Sequence, residues 1–556
     1  MLGIGRGSRE GAIPLEASIK NCGRTTQWSA ALRLLREGLR LGVQLAPGHF
    51  IATASACRKG GQWQYALSAL SDMWKAKLEP DIISYSAGIS ACEKGGQWQP
   101  ALALLSEMWE AKLEPDVISY SAGISACEKG GQWQPALALL SEMREAKLEP
   151  DVISFSAGIS ACKKGEQWQP ALALLSAMWE AKLEPNVISY SAGISACEKG
   201  EQWQRALALL SEMREAKLEP DVISYSAGIS ACEKGEQWQR SLALLGDMWE
   251  AKLEPDVISY NAGISACEKG EQWQRALALL SEMWEAKLEP NVISFSAGIS
   301  ACEKAEQWQP GEQWQLALAL LSEMWEAKLE PNVISFSAGI SACEKAEQWH
   351  ACEKGEQWQR ALALLSEMWE AKLEPDLIFS YSAGISACEK GGQWQRALAL
   401  LSEMWEAKLE PNAISHSAGI SACEKGEQWQ RALALLSEMW EAKLMWEAKL
   451  EPDVIFSYSA GISACQKGEQ WERALALLSG MWEAKLEPDD ISYSAGIRAC
   501  ERSGQWRQAL SLLSEMRNIN LEPNEVNYNS GITAYERSSG HSAGFPGHRG
   551  IGLSRF

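Results

Sequence analysis

The sequence contains no run of eighteen apolar residues, so no membrane-spanning helix is expected. Its 556 residues include only five histidines and no Cys-x-x-Cys pair, so zinc-ligand spacing is missing and no metal site is expected. No phosphate-cradling glycine loop, Ser/His/Asp set or isolated carboxylate constellation stands out, which argues against an enzyme, a cofactor and a small-molecule substrate. Basic residues are in deficit: 52 Lys and Arg face 72 Asp and Glu, a net charge of −20 that disfavours a generic polyanion binder. The opening "MLGIGRGSREGAIPLEASIK" lacks a secretory apolar core, and no clear targeting peptide is legible. The 46% hydrophobic fraction suffices for a folded chain.

What the chain has is repetition. Cys57, Cys92, Cys127, Cys162, Cys197, Cys232 and Cys267 are each 35 residues apart within the same "SAC" context. A cysteine in one equivalent slot of every unit reads as a small buried residue, and the set fits a reducing compartment. With Ile82 as position 1, twelve repeats span 82–524: 82–116, 117–151, 152–186, 187–221, 222–256, 257–291, 292–332, 333–376, 377–412, 413–453, 454–489 and 490–524. An N-terminal segment, 1–11, precedes two weaker copies in 12–81, and 525–556 holds a partial repeat and a Gly/Ser-rich tail expected to be flexible.

Each unit reads as two helices. In 117–151, Ser119 is the expected N-cap, with Tyr120, Gly123, Ile124 and Cys127 on one face. Gly130 and Gly131 end this helix and turn the chain. Trp133, Ala136, Leu137, Leu140 and Met143 form the apolar stripe of the second helix, Pro135 sits harmlessly in its first turn, and Pro150 closes the unit. Neither stripe can be buried alone, so the fold class expected is all-α, a superhelical α-solenoid of tandem helix–turn–helix repeats. Sixteen of the 27 tryptophans occupy position 17 or its duplicates and eleven occupy position 28, both read as packing slots, the second tolerating partial exposure because Arg144 and Arg214 stand in it. Duplications in 306–315, 342–359 and 439–450 break the period in repeats 292–332, 333–376 and 413–453, which should pack less well; Phe379 and Phe456 are single insertions.

The unit "VISYSAGISACEKGGQWQPALALLSEMREAKLEPD" resembles the pentatricopeptide repeat, P-type, over about residues 47–540. The matching elements are an apolar pair, an aromatic at position 4, small residues near 14–15, "AL.LL.EM" in the second helix and a terminal Pro-Asp or Pro-Asn. Trp at position 17 departs from the family's usual smaller residue. The resemblance implies single-stranded RNA binding at about one base per repeat, read by positions 5 and 35. Here those pairs are Ser86/Asp116, Ser121/Asp151, Ser156/Asn186, Ser191/Asp221, Ser226/Asp256, Asn261/Asn291, Ser296/Asn332, Ser337/Asp376, Ser382/Asn412, Ser417/Asp453, Ser459/Asp489 and Ser494/Asn524.

A carboxylate only accepts hydrogen bonds and suits the donors of guanine, whereas an Asn amide donates and accepts and matches adenine. By resemblance to the family code the target is 5′-GGAGG(C/U)AGAGGA-3′, purine-rich, with the N-terminal repeat at the 5′ end. The resemblance also implies that Ile83, Ile118, Ile153, Ile188, Ile223, Ile258 and Ile293 at position 2 sandwich bases. Lys94, Lys129, Lys164, Lys199, Lys234 and Lys269 at position 13 would follow the phosphates, weakened by Glu93, Glu128 and equivalents at position 12. The acid of the second helix, such as Glu107, Glu110 and Glu114, is expected on the convex side away from RNA. The alternative function is a protein-binding helical scaffold, which gives no reason for Asp or Asn alone after Pro; neutral drift between the two is a third reading. The tail lacks the zinc-deaminase pattern of some family members. Family members work mostly in chloroplasts or mitochondria, on transcript stability, splicing, editing or translation; localisation is implied by resemblance alone.

Overall fold

The computed structural model describes residues 17–19, 21–22, 27–304, 313–347, 357–373, 377–441 and 452–538. Among them every regular element is an α-helix, and where the connection is described it is a short turn. The chain divides into two compact units, one running through Gly270 with Ala286–Leu288, the other comprising Glu271–Glu285 and the residues from Glu289 onward. Each unit is a tandem array in which a first helix packs on its own second helix and on the first helix of the next repeat. In the N-terminal unit, for example, Ile82–Lys94 packs against both Trp98–Glu110 and Val117–Lys129. In the C-terminal unit, Ala413–Lys425 does the same with Trp429–Glu441 and Pro452–Lys467.

Two features of the repeat 117–151 differ from the sequence reading. The first helix, Val117–Lys129, is capped by Asp116 in extended backbone, not by Ser119, which lies one turn inside it. In the second helix, Trp133–Glu145, the buried stripe is Ala136, Leu139, Leu140 and Met143; Leu137 is only partly covered. Both stripes have helical spacing, and the choice is made by the neighbour. Gly123 has no side chain, and a Cβ there would fall 2.7 Å from Leu105 Cδ1 and 3.2 Å from Leu139 Cδ1, so one leucine from each of two repeats closes over it.

The recurrent tryptophan of position 17 explains the first glycine of the turn. Gly130 has φ −77°, which any residue adopts, but a Cβ on it would collide with the indole of Trp98 from the preceding repeat. The same contact joins Gly95 to Trp63, Gly165 to Trp133 and Gly426 to Trp394. Position 17 is therefore an inter-repeat packing slot. Position 28 differs: Trp109 is 48% exposed, and Arg144 in that slot lies over the Phe155 ring, 5.5 Å from its centroid.

The second residue of the turn is left-handed. Gly131 sits there at φ 69°, yet Glu166, Glu201 and Glu236 occupy the same slot at φ 57–60°. A β-carbon in that region carries strain of about 1 kcal/mol.

The cysteine reading holds at every described position from Cys57 on: each is buried, and burial pushes the Cys127 thiol up to about 11. The duplicated stretches fall largely outside the described residues. The two phenylalanine insertions do not: Ser380 and Ser457 are fully buried like Ser119, so Phe379 and Phe456 take the place Ile118 has, 63% and 53% exposed. The extra residue is absorbed at the start of the helices, Leu377–Lys390 and Pro452–Lys467, which are longer than the usual thirteen residues.

Glu166→Gly is expected to stabilise the array by about 1 kcal/mol, because glycine relieves the left-handed strain. Gly130→Ala is expected to destabilise it by about 1–3 kcal/mol through the Trp98 collision. Urea unfolding of the two variants beside the parent protein checks both signs.

Candidate nucleic-acid interface

The predicted reading pair forms at the junction between repeats. Asp116 caps its helix by accepting, on Oδ1, the Ser119 N–H at 2.9 Å and the Ser119 hydroxyl at 2.6 Å. The Ser119 hydroxyl also contacts the hydroxyl of Ser86, in the preceding repeat, at 2.7 Å. Ser86 is held in turn by the Ile82 carbonyl at 2.6 Å. Positions 5 and 35 are thus bridged by the buried serine of position 3. The same bridge joins Ser121 through Ser154 to Asp151, and Ser156 through Ser189 to Asn186.

Several pairs also touch directly. Ser191 Oγ donates to Asp221 Oδ1 at 3.2 Å, Ser226 to Asp256 at 3.4 Å, Ser296 to Asn332 at 3.2 Å, Ser382 to Asn412 at 3.3 Å and Ser459 to Asp489 at 3.3 Å. Asn261 and Asn291 belong to different units, and Asn291 Oδ1 accepts from the Ser294 N–H at 3.1 Å. Ser337 and Ser417 meet Ser380 and Ser457 at 2.7 and 2.6 Å, while Asp376 and the side chain of Asp453 lie outside the described residues. In the last repeat, partly buried Ser494 is followed by Asn524, whose Oδ1 accepts from the Asn527 N–H at 3.0 Å.

Capping fixes which side-chain atom is used and which is left over. A backbone N–H needs an oxygen, so the capping atom of Asn186 must be Oδ1, which takes the Ser189 N–H at 2.9 Å. The atom left over is Nδ2, a donor; in Asp116 it is Oδ2, an acceptor. Neither makes a hydrogen bond to another described residue. A single change of letter therefore exchanges acceptor for donor at a fixed place, with the backbone untouched.

This geometry corrects one inference from the sequence. Restriction to Asp and Asn after Pro has a structural cause independent of RNA, since both are among the best N-caps. Near-constant Ser at position 5 has one too: Ser86 is 9% exposed and tied across the repeat junction. The sequence reading missed the bridging row of Ser84, Ser119, Ser154, Ser189 and Ser224. Its signal was the Asp-x-x-Ser and Asn-x-x-Ser spacing, which matches a cap to the third helical residue.

The isoleucines of position 2 stand clear of the core. Ile118 is 64% exposed on the first turn of its helix, and Ile83, Ile153, Ile188, Ile223, Ile258 and Ile293 are similarly bare. Lys129 lies eleven residues further on the same helix, on nearly the same side and about 16 Å along the axis. The two rows edge one face of the first helices, and the lysines do not reach the reading pair. Most are already engaged with acid: Lys129 pairs with Glu93 at 2.6 Å, Lys164 with Glu128 at 2.6 Å, Lys234 with Glu198 at 2.7 Å and Lys269 with Glu233 at 2.6 Å.

A model of the PPR repeat family matches residues 115–164, 185–234 and 237–304. A Pentatricopeptide repeat domain model matches 350–425 and 476–537, and a PPR repeat model matches 83–113, so the three together cover more than half of the chain. The chain belongs to the pentatricopeptide repeat family. The crystal structure of the pentatricopeptide repeat protein PPR10 from maize has 18% identity over 94% of this chain and 86% of that one, with a TM-score of 0.50. This likeness is one of fold. The structure of PPR10 in complex with an 18-nt psaJ RNA element has 19% identity over 94% and 82% of the two chains, at a TM-score of 0.40. A search of curated proteins finds no match. Within this pentatricopeptide array, no three His, Cys, Asp or Glu side chains among the described residues are grouped to hold a metal ion, and no described helix is long and apolar enough to cross a membrane.

Asp116→Asn should leave stability nearly unchanged, whereas Asp116→Ala should cost about 1 kcal/mol by orphaning the first-turn N–H of Ser119. Hydrogen exchange at residues 117–122 reads the loss locally, which matters in an array whose repeats need not unfold together.

Proposed function

We propose that this pentatricopeptide array binds single-stranded RNA sequence-selectively, one base per repeat, with purine-rich RNA as its target. The observation that carries the reading is the side-chain atom that the cap leaves over. At the described Asp caps it is a carboxylate oxygen suited to guanine N1–H and N2–H, and at the Asn caps an amide NH2 suited to the N1 acceptor of adenine. Ser at position 5, drawn back against Ser119, leaves room for the larger purine ring. The exposed isoleucines supply apolar surface on either side of a splayed base. Family membership supports RNA as the partner and a binding rather than a catalytic role. The target that follows is 5′-GGAGG(C/U)AGAGGA-3′, the letters for Asp376 and Asp453 resting on sequence alone. Because most of the lysine row is paired with glutamate, affinity comes more from base contacts than from counterion release. A role in organellar RNA processing, stability or translation extends the family resemblance.

One observation favours the second reading, a protein-binding scaffold. Half-exposed tryptophans such as Trp74 edge grooves between successive second helices, with Leu67, Tyr85, Leu104 and Glu107 lining one of them.

Selection from a random RNA pool by the purified protein discriminates the readings. Purine-rich winners aligned with Asp and Asn along repeats 82–256 are expected. Recovery of no motif, or of pyrimidine-rich RNA, contradicts the code and leaves the scaffold.

A further inference from the structure

The lysine row is not uniform. Where position 12 is glutamate, the lysine at position 13 of the next repeat closes onto it, as in Lys129–Glu93 and Lys234–Glu198. Two junctions of the N-terminal unit break this rule because position 12 is itself basic: Arg58 precedes Lys94, and Lys163 precedes Lys199. Lys94 is exposed and has no acidic partner among the described residues, and Arg58 Nε is buried without a hydrogen bond. Lys199 reaches only Glu166, at 3.6 Å, and that carboxylate is 68% exposed. A pair so long and so wet is largely screened.

At a closed rung an arriving phosphate must displace a carboxylate 2.6 Å from the ammonium. At an open rung it displaces no close pair: none at Lys94, and at Lys199 only the long, exposed contact with Glu166. From this contrast we infer that the RNA backbone is gripped at Arg58/Lys94 and at Lys163/Lys199, and that the ion-paired lysines between and beyond them contribute little. The inference rests on the RNA-binding reading and deepens it. Lys94 and Lys199 are three repeats apart, so at one base per repeat the anchored phosphates are three nucleotides apart, with the paired Lys129 and Lys164 between them. The arrangement reconciles a net charge of −20 with a nucleic-acid partner: positive charge is uncompensated only at selected rungs.

The test is the salt dependence of binding to a fluorescent purine-rich RNA, in the full chain. Removing the open rungs, R58Q/K94Q/K163Q/K199Q, should lower the slope of log K against log salt by about 0.7 per lost contact, roughly 3 in all. Affinity at low salt should fall at least tenfold. Removing four closed rungs, K129Q/K164Q/K234Q/K269Q, should change affinity less than threefold. Opening two rungs with E93Q/E128Q should tighten binding and steepen the slope, a gain that poor folding cannot mimic. Equal losses from the first two variants, or no gain from the third, overturn the inference while RNA binding stands. Failure of the parent protein to bind any RNA overturns the binding reading itself, and the inference with it.

Discussion

The hydrogen bond from the Ser119 N–H to Asp116 Oδ1 starts a helix, and the rest of each repeat junction is built on it. The cap residue ends one repeat and begins the next, so its side chain is held where two repeats meet. The Ser119 hydroxyl uses the same oxygen, and Ser86 reaches that hydroxyl from the repeat before. The place and chemistry of the proposed reading atom follow from satisfying a buried backbone donor. An array can then vary the atom left over without altering its fold, because Asp and Asn cap alike.

Packing spaces these junctions. Gly130 admits the Trp98 indole and Gly123 admits leucines from two repeats, so close approach is set by glycines whose backbone angles are ordinary. Within each unit the first helices form a layer, most with a bare isoleucine at the start and a cation at the end. The acid of the second helix lies on the other layer, with the half-exposed tryptophans.

Periodicity made the helices, their two-per-repeat arrangement and the cysteine slot legible, since many copies repeat one pattern. Choices between equivalent patterns were not. Ser119 and Asp116 are both competent caps three residues apart, and only the extended backbone at Asp116 decides between them. Leu137 and Leu139 both fit a helical stripe, and the decision lies with Gly123 in another helix. The pairing of Lys129 with Glu93 spans 36 residues, so a reading of one repeat sees a lysine beside its own Glu128, not one closed onto the repeat before. Phe379 is an extra residue in sequence, yet it falls into the exposed row because the buried serine, not the helix start, sets the register.

The central claim is that cap residues such as Asp116 and Asn186 each read one base through the side-chain atom that capping does not use. A double-mutant cycle tests it most directly, pairing Asp116→Asn with a guanine-to-adenine change at the first target position and, as control, at the second. The account predicts coupling of about tenfold, or roughly 1.4 kcal/mol, at the first base and additivity at the second. Additive effects at both bases, with the Asn variant fully folded, would contradict it.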